Sequence, residues 1–205
     1  MKCAQVFLLS FLIALTTPLV AQQSQGNQKK ESVWSTANLE LGGGWVYVSG
    51  NNGLNGFNLD TALWFTRRVS VAVDYDFARD TSNLSNFGLT TAGLITIKNH
   101  LQNFLVGPRI FFPPKRVKKY ELEPFGEVQV GFGHLYQQVS QVGVGSESSS
   151  SNAYSWLLGG GADYVLSQHW AARANLDLLR THFANAGQSR FRLVLSVNYT
   201  FRKRK

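Results

Sequence analysis

The sequence predicts an all-β fold, an eight-stranded antiparallel up-and-down transmembrane β-barrel. Three observations support this prediction. Apolar and polar residues alternate with a period of two along eight segments, the connections between segments alternate between short and long, and lysine is missing from the polar faces of the segments. Glycine is frequent, with 19 of 205 residues, and few stretches have the periodicity of a helix.

The first 21 residues have the pattern of a cleaved secretory signal peptide. Lys2 precedes the apolar run AQVFLLSFLIALTTPLV, and Ala21 offers a small residue for cleavage. The predicted organisation is therefore a signal peptide (1–21), a polar linker (22–37), a barrel (38–201) and a basic tail (202–205). The single cysteine, Cys3, falls in the signal, so we expect the exported protein to lack disulfides and cysteine metal ligands.

The eight predicted strands account for most of the mature sequence. They are residues 38–48, 57–65, 69–77, 101–112, 120–136, 153–166, 170–181 and 191–201. Short links such as TRR and SQH alternate with long ones such as ARDTSNLSNFGLTTAGL. This alternation is typical of membrane-spanning barrels, which have short turns at one rim and long loops at the other.

The polar side of the strands has the composition of an enclosed lumen rather than of a water-facing surface. It carries Gly, Ser, Asn and Thr with charges of both signs. The predicted lumen charge network consists of Glu40, Asp60, Asp74, Arg109, Glu127, Asp163, Arg173, Asp177 and Arg192. Eight strands leave an interior that side chains can fill, so we expect these charges to pair and close the lumen. A narrow pore is the alternative.

The apolar side of the strands is expected to face the lipids of a membrane. Its aromatic residues fall mostly near strand ends, as in the two interfacial girdles of a membrane barrel. A secreted β-sandwich is the alternative, because it also has one apolar and one polar face.

Basic residues cluster on the side of the short turns, which in a membrane barrel is the periplasmic side. This predicted basic rim consists of Arg67, Arg68, Lys115, Arg116, Lys118, Lys119, Arg202 and Lys203. Such a rim would attract anionic phospholipid of the inner leaflet, at about 1 kcal/mol per residue, or anionic cell-wall polymer. The alternative is a solvated rim without a partner. Nucleic acid is not expected as a partner in that compartment.

Three histidines map near the long-loop rim, namely His100, His134 and His182. A catalytic role, as in a lipid-modifying barrel enzyme, would need a serine and a carboxylate close to one of them. No His-x-Ser pair shares a strand face and no tight histidine cluster is visible, so we predict no enzyme activity, no metal site and no cofactor. The tract SESSSS is expected to be a solvated loop tip.

Several segments of the sequence resemble the small outer-membrane β-barrel family of Gram-negative bacteria, which includes the transmembrane domain of outer membrane protein A and adhesin-like relatives. The matching segments are FLVGPRIFF, PFGEVQVGFG, LLGGGADYVLSQHWAARANLDLLRTHF and RLVLSVNYTF. The resemblance implies a bacterial outer-membrane location and insertion by the barrel-assembly machinery, which reads a terminal aromatic residue in this family. Phe201 matches that residue, although four basic residues follow it.

The expected function is structural or adhesive, exerted by a monomer through its outer loops and its basic rim. A narrow porin-like channel is the first alternative and a lipid-modifying enzyme the second. A channel predicts a conductance that substitutions of Arg109 or Arg173 change. An enzyme predicts altered envelope lipid that depends on one of the three histidines.

Overall fold

The computed structural model describes residues 38–50, 53–84, 95–117, 120–141, 145–183 and 186–201. The predicted signal peptide, linker and basic tail lie outside these residues. The strands are β1 (Asn38–Val48), β2 (Leu54–Trp64), β3 (Val69–Leu84), β4 (Ile95–Phe111), β5 (Lys115–Val117), β6 (Tyr120–Gln141), β7 (Gly145–Val165), β8 (Trp170–Phe183) and β9 (Ala186–Thr200). No helix among the described residues is long and apolar enough to cross a membrane.

The strands form one closed antiparallel sheet in up-and-down order. Each long strand pairs with its neighbour in sequence, and β1 pairs with β9, where Trp45 lies opposite Leu195. β5 is three residues long and pairs with the start of β6, so it extends the β4–β6 hairpin and adds no further strand to the barrel. The predicted eight-stranded antiparallel barrel is confirmed.

The outer surface of the barrel is an apolar belt. Phe132 and Leu176 are 71% and 61% exposed, values that would be unusual for such residues in water but are expected where the surroundings are acyl chains. Aromatic rings contact each other near both ends of this belt. The centroids of Trp170 and Tyr199 are 4.9 Å apart at the short-turn end, and those of Phe57 and Phe77 are 5.5 Å apart at the other end.

Two of the short turns close by the same hydrogen bonds. The N–H of Thr66 donates to the carbonyl of Val69 (3.3 Å), and the N–H of Ser167 donates to the carbonyl of Trp170 (3.1 Å). In return, the hydroxyl oxygen of Thr66 accepts from the N–H of Val69 (3.0 Å), and that of Ser167 accepts from the N–H of Trp170 (3.2 Å). Each turn therefore satisfies polar groups within four residues, which keeps these connections short.

The strands at the opposite end are longer than the sequence predicts. β3, β4, β6 and β7 extend past β1, β2, β8 and β9 and form a four-stranded protruding sheet (residues 80–84, 95–100, 136–141 and 145–151). The prediction of SESSSS as a loop tip is wrong, because Ser146–Ser151 belong to β7. Backbone pairing with β6, as between Ser149 and Gln137, overrides the weak strand preference of serine.

Candidate functional site: the barrel interior and its two ends

Among the described residues, three arginines in the interior of the barrel are each surrounded by carboxylates from different strands. Arg173 on β8 is the best-connected of them. Its Nε lies 2.6 Å from Oδ1 of Asp163, and one Nη lies 2.6 Å from Oε1 of Glu40. The other Nη pairs with Asp60. These three carboxylates belong to β7, β1 and β2, so one guanidinium ties together three strands besides its own.

Arg109 and Arg192 extend the ion pairing to the other strands. Arg109 Nε lies 2.8 Å from Glu127 Oε2, and its Nη1 lies 3.1 Å from Asp60. Because Asp60 contacts both Arg109 and Arg173, these two clusters are continuous. The side chains of Arg109 on β4 and Arg192 on β9 are both fully buried.

The third cluster contains an acid that was not in the predicted set. Arg192 Nη1 lies 2.6 Å from Asp177, and its Nε lies 2.9 Å from Asp76. Arg109 and Arg192 also approach Asp74, each at 3.6 Å. Asp76 follows Asp74 by two residues and therefore shares its face of β3, which is the signal that could have identified it. All nine predicted lumen residues thus lie inside the barrel and take part in these ion pairs.

Side-chain amides complete the surroundings of the carboxylates. Asn198 donates to Glu40 and Asp60 (both 3.1 Å), and Gln129 donates to Asp74 (2.5 Å). The nine ion pairs involve seven carboxylates and three guanidiniums. These amides add further donors to carboxylate oxygens that the guanidiniums also contact, and Asn175 donates to Oε1 of Glu127 (2.9 Å), an oxygen outside these ion pairs. We name these ion pairs and amides the ionic layer.

Glycine provides space for this layer at two inward positions. A Cβ on Gly42 would lie 2.6 Å from Oδ1 of Asn198, the amide that donates to Glu40 and Asp60. A Cβ on Gly159 would collide with Asp177 in the same way. Glycine therefore allows the network to fill the interior without displacing its own members.

An apolar layer lies on the side of the ionic layer nearer the protruding sheet. Its side chains are inward-facing and buried, and they come from most of the barrel strands: Val46, Val48, Leu54, Ala78, Leu101, Leu105, Ala153, Leu157, Leu179, Phe183 and Val194. The sequence-based prediction of an enclosed polar lumen did not include this apolar layer. In this layer the inward-facing residues are apolar like the outward-facing ones. The alternation of polar and apolar residues that identified the lumen is therefore weak here.

An aromatic layer lies on the short-turn side of the ionic layer. The ring centroids of Trp64 and Phe111 are 4.4 Å apart, and those of Phe111 and Phe125 are 5.1 Å apart. Phe125 also lies 5.1 Å from the guanidinium carbons of both Arg109 and Arg173. These cation–π contacts join the aromatic and ionic layers.

The described members of the predicted basic rim lie at the short-turn end. Arg67 and Arg68 are exposed in the β2–β3 turn, and Lys115 and Arg116 are exposed on β5. These four residues therefore share one end of the barrel. The other predicted members, Lys118, Lys119, Arg202 and Lys203, lie outside the described residues.

The histidines near the opposite rim contact aromatic rings and an amide. His100 lies 5.8 Å from the ring of Tyr136, and His182 lies 6.0 Å from that of Tyr154. The Nδ1 atom of His134 lies 2.7 Å from Oδ1 of Asn152. No hydrogen bond joins these imidazoles to a serine hydroxyl or a carboxylate within the described part of the chain, and no metal-ligating cluster occurs there.

A fourth histidine, which the sequence analysis did not single out, holds the end of the last strand. His169 Nδ1 lies 2.8 Å from the carbonyl oxygen of Thr200, whose N–H donates to the carbonyl of His169. The imidazole also stacks on Tyr199, with 5.6 Å between the ring centroids. The N–H of Phe201 donates to the carbonyl of Leu39, so the end of β9 is attached on both sides.

No protein-family model and no curated relative matches the sequence. Solved structures do match the fold. The crystal structure of Ail, the attachment invasion locus protein of Yersinia pestis, in complex with the heparin analogue sucrose octasulfate, is 18% identical, covers 80% of this chain and 97% of its own, and has a TM-score of 0.53.

Two further solved structures match over a similar length. A major outer membrane protein of Thermus thermophilus is 13% identical, covers 81% of this chain and 100% of its own, and has a TM-score of 0.52. The outer membrane protein OprG of Pseudomonas aeruginosa is 12% identical, covers 81% and 96%, and has a TM-score of 0.50. At these identities the likeness concerns the fold.

Proposed function

We propose that this chain, which has the fold of small outer-membrane β-barrels, is a closed, non-catalytic barrel of the bacterial outer membrane that adheres through its protruding sheet. The observation that carries the adhesive part is the free edge of β7. Residues 145–152 pair with β6 on one side, and no other described strand pairs with them on the other, because β8 joins β7 only from Ser155 onward.

An exposed strand edge offers unpaired N–H and C=O groups to an incoming extended segment. The edge of β7 contains no proline and one charged side chain, Glu147, so little in the sequence opposes such pairing. The ladder with β6 holds it extended before any partner arrives. The partner we propose is therefore a protein that contributes an extended segment, bound mainly through its backbone.

Lysines placed on this edge should reduce adhesion. The double variant Ser146→Lys, Ser148→Lys puts two flexible charges on β7, which disfavours strand addition. Bacteria displaying this variant should lose most of the retention on a serum-protein-coated surface that the unaltered protein confers over cells without it. Surface expression is checked by gel mobility with and without boiling.

A matched control lies directly across the ladder. Gln138 and Ser140 on β6 pair with Ser148 and Ser146 respectively, but β6 is covered on both sides by β4 and β7. Lysines at these two β6 positions should leave retention unchanged. Equal loss in both variants would mean a general charge effect and would contradict the role of the edge.

The proposal of a closed lumen is supported by the three layers, aromatic, ionic and apolar, that follow one another along the interior from the short-turn end to the protruding sheet. An ion would have to pass buried rings, paired charges and buried aliphatic side chains in turn. We therefore expect no conductance when the refolded protein, which shifts in gel mobility on boiling, is added to a planar bilayer. Steady openings whose size changes in Arg109→Gln would mean that the lumen conducts.

We place the short-turn end in the periplasm, where the exposed side chains of Arg67, Arg68, Lys115 and Arg116 would attract anionic phospholipid or cell-wall polymer. The attraction should be sensitive to salt because these side chains are exposed. Preferential enrichment of anionic lipid around the barrel, lost on neutralising these four residues, is the measurement. The absence of any enrichment at low salt would remove this part of the proposal.

A further inference from the structure

A polar cavity of about 540 Å³ lies at the mouth of the barrel, at the end of the protruding sheet. Its volume falls within the range of small-molecule sites. Its walls come from the β1–β2 connection and from β3, β4, β6 and β9. We call this cavity the mouth cup.

The floor of the mouth cup is apolar. Leu54 is part of the apolar layer, and Leu135 packs against that layer. The mouth cup therefore rests on buried aliphatic side chains, which suits a binding site better than the entrance of an aqueous path. One wall is also fixed in shape: Gly53 has a φ of +68°, and a Cβ there would lie 2.6 Å from the ring of Tyr47.

Two opposite charges line the mouth cup without pairing. Arg190 donates from Nη2 to Oε1 of Gln188 at 2.7 Å, and Asp80 accepts from the hydroxyl of Ser82 at 2.8 Å. Neither forms an ion pair within the described part of the chain, whereas every arginine of the ionic layer has at least two carboxylate partners. The mouth cup therefore presents one unneutralised cation and one unneutralised anion together.

The remaining polar groups of the mouth cup are neutral. The amides of Asn99, Gln137 and Gln188 and the hydroxyls of Ser49 and Ser189 can each donate and accept hydrogen bonds. Such groups match peptide units or sugar hydroxyls equally well. The two charges decide between these ligand classes.

We propose that the mouth cup binds a small zwitterion of the amino-acid or short-peptide class. The ligand carboxylate pairs with the guanidinium of Arg190, which suits planar bidentate contacts, and the ligand ammonium pairs with Asp80. The amides bind the peptide units between the two charged ends. A neutral sugar would leave both protein charges unpaired, and an acidic sugar would leave Asp80 unpaired. This inference does not depend on the free edge of β7.

The test is titration calorimetry of the refolded protein in detergent micelles with four ligands. Triglycine carries both charges, N-acetyl-triglycine carries only the carboxylate, triglycine amide carries only the ammonium, and maltotriose carries neither. We expect triglycine to bind at least about tenfold more tightly than either blocked form, because each loses one charge-assisted contact. Binding of maltotriose as tight as that of triglycine, or no binding of triglycine, would overturn the proposal.

Two substitutions assign the two charges. Arg190→Gln should weaken triglycine but not triglycine amide, and Asp80→Asn should weaken triglycine but not N-acetyl-triglycine. Arg79→Gln is the matched control, because Arg79 is exposed and adjoins Asp80 on the opposite face of β3. An equal effect of Arg79→Gln and Arg190→Gln would mean general electrostatics and would also overturn the proposal.

Discussion

Replacing Arg173 with methionine should lower the free energy of unfolding by about 3–5 kcal/mol. The substitution keeps much of the length of the side chain but leaves Glu40, Asp60 and Asp163 buried without their shared cation. Removing one partner of a buried ion pair costs more than the pair itself contributes, because the remaining charge cannot be hydrated. Urea unfolding of the refolded barrel in lipid vesicles, followed by tryptophan fluorescence and gel mobility, measures the effect.

Two variants control this result. Arg68→Met removes an exposed arginine at the short-turn end and should change stability by less than about 0.5 kcal/mol. Adding Asp163→Asn to Arg173→Met removes one of the buried carboxylates that have lost their arginine, and should restore part of the lost stability. A loss as small for Arg173→Met as for Arg68→Met would mean that the ionic layer contributes little to stability.

Replacing Leu158 with arginine should destabilise the barrel by about 2–4 kcal/mol. Leu158 is outward-facing and 53% exposed on β7, and it lies between the outward aromatic residues Tyr154 and Tyr164. A charge there must enter the hydrocarbon or draw water and headgroups towards it, and both are costly. The same urea titration in vesicles measures the loss.

Ser150→Arg is the matched control for this prediction. Ser150 lies on the same strand and the same face, eight residues from Leu158 and within the protruding sheet, where its side chain is exposed beyond Tyr154. The arginine can remain hydrated there, so stability should change by less than about 0.5 kcal/mol. Similar losses in the two variants would contradict the assignment of the apolar belt to the bilayer.

The alternation of residues predicted the barrel and the faces of its strands because a period of two is imposed by the backbone itself. It placed Arg109, Arg173 and Arg192 on the inner face, since each stands in phase with other polar residues. It did not predict that Asp60 would be shared by two arginines. That contact joins residues 49 and 113 positions apart, and its existence depends on how the strands are staggered around the barrel.

The apolar layer and the strand ends were harder to predict. Leu157 and Leu158 are adjacent and both apolar, so their residue types do not show which of them faces inward. Leu157 follows the inward-facing Ser155 by two residues and therefore shares its face of the strand. The tract of serines on β7 carries little strand preference of its own. Its conformation comes from the ladder with β6, an interaction that composition does not reveal.

The closure between β1 and β9 has a consequence for the order in which the molecule folds. Every other long-strand pairing joins strands that follow each other along the chain, so hairpins can form locally and at small entropic cost. The contacts of Glu40 with Arg173 and Asn198 span 133 and 158 positions. They can form only when the two ends of the sheet meet. Until then Glu40 lacks these partners, so ring closure and the completion of its contacts are one late event in folding.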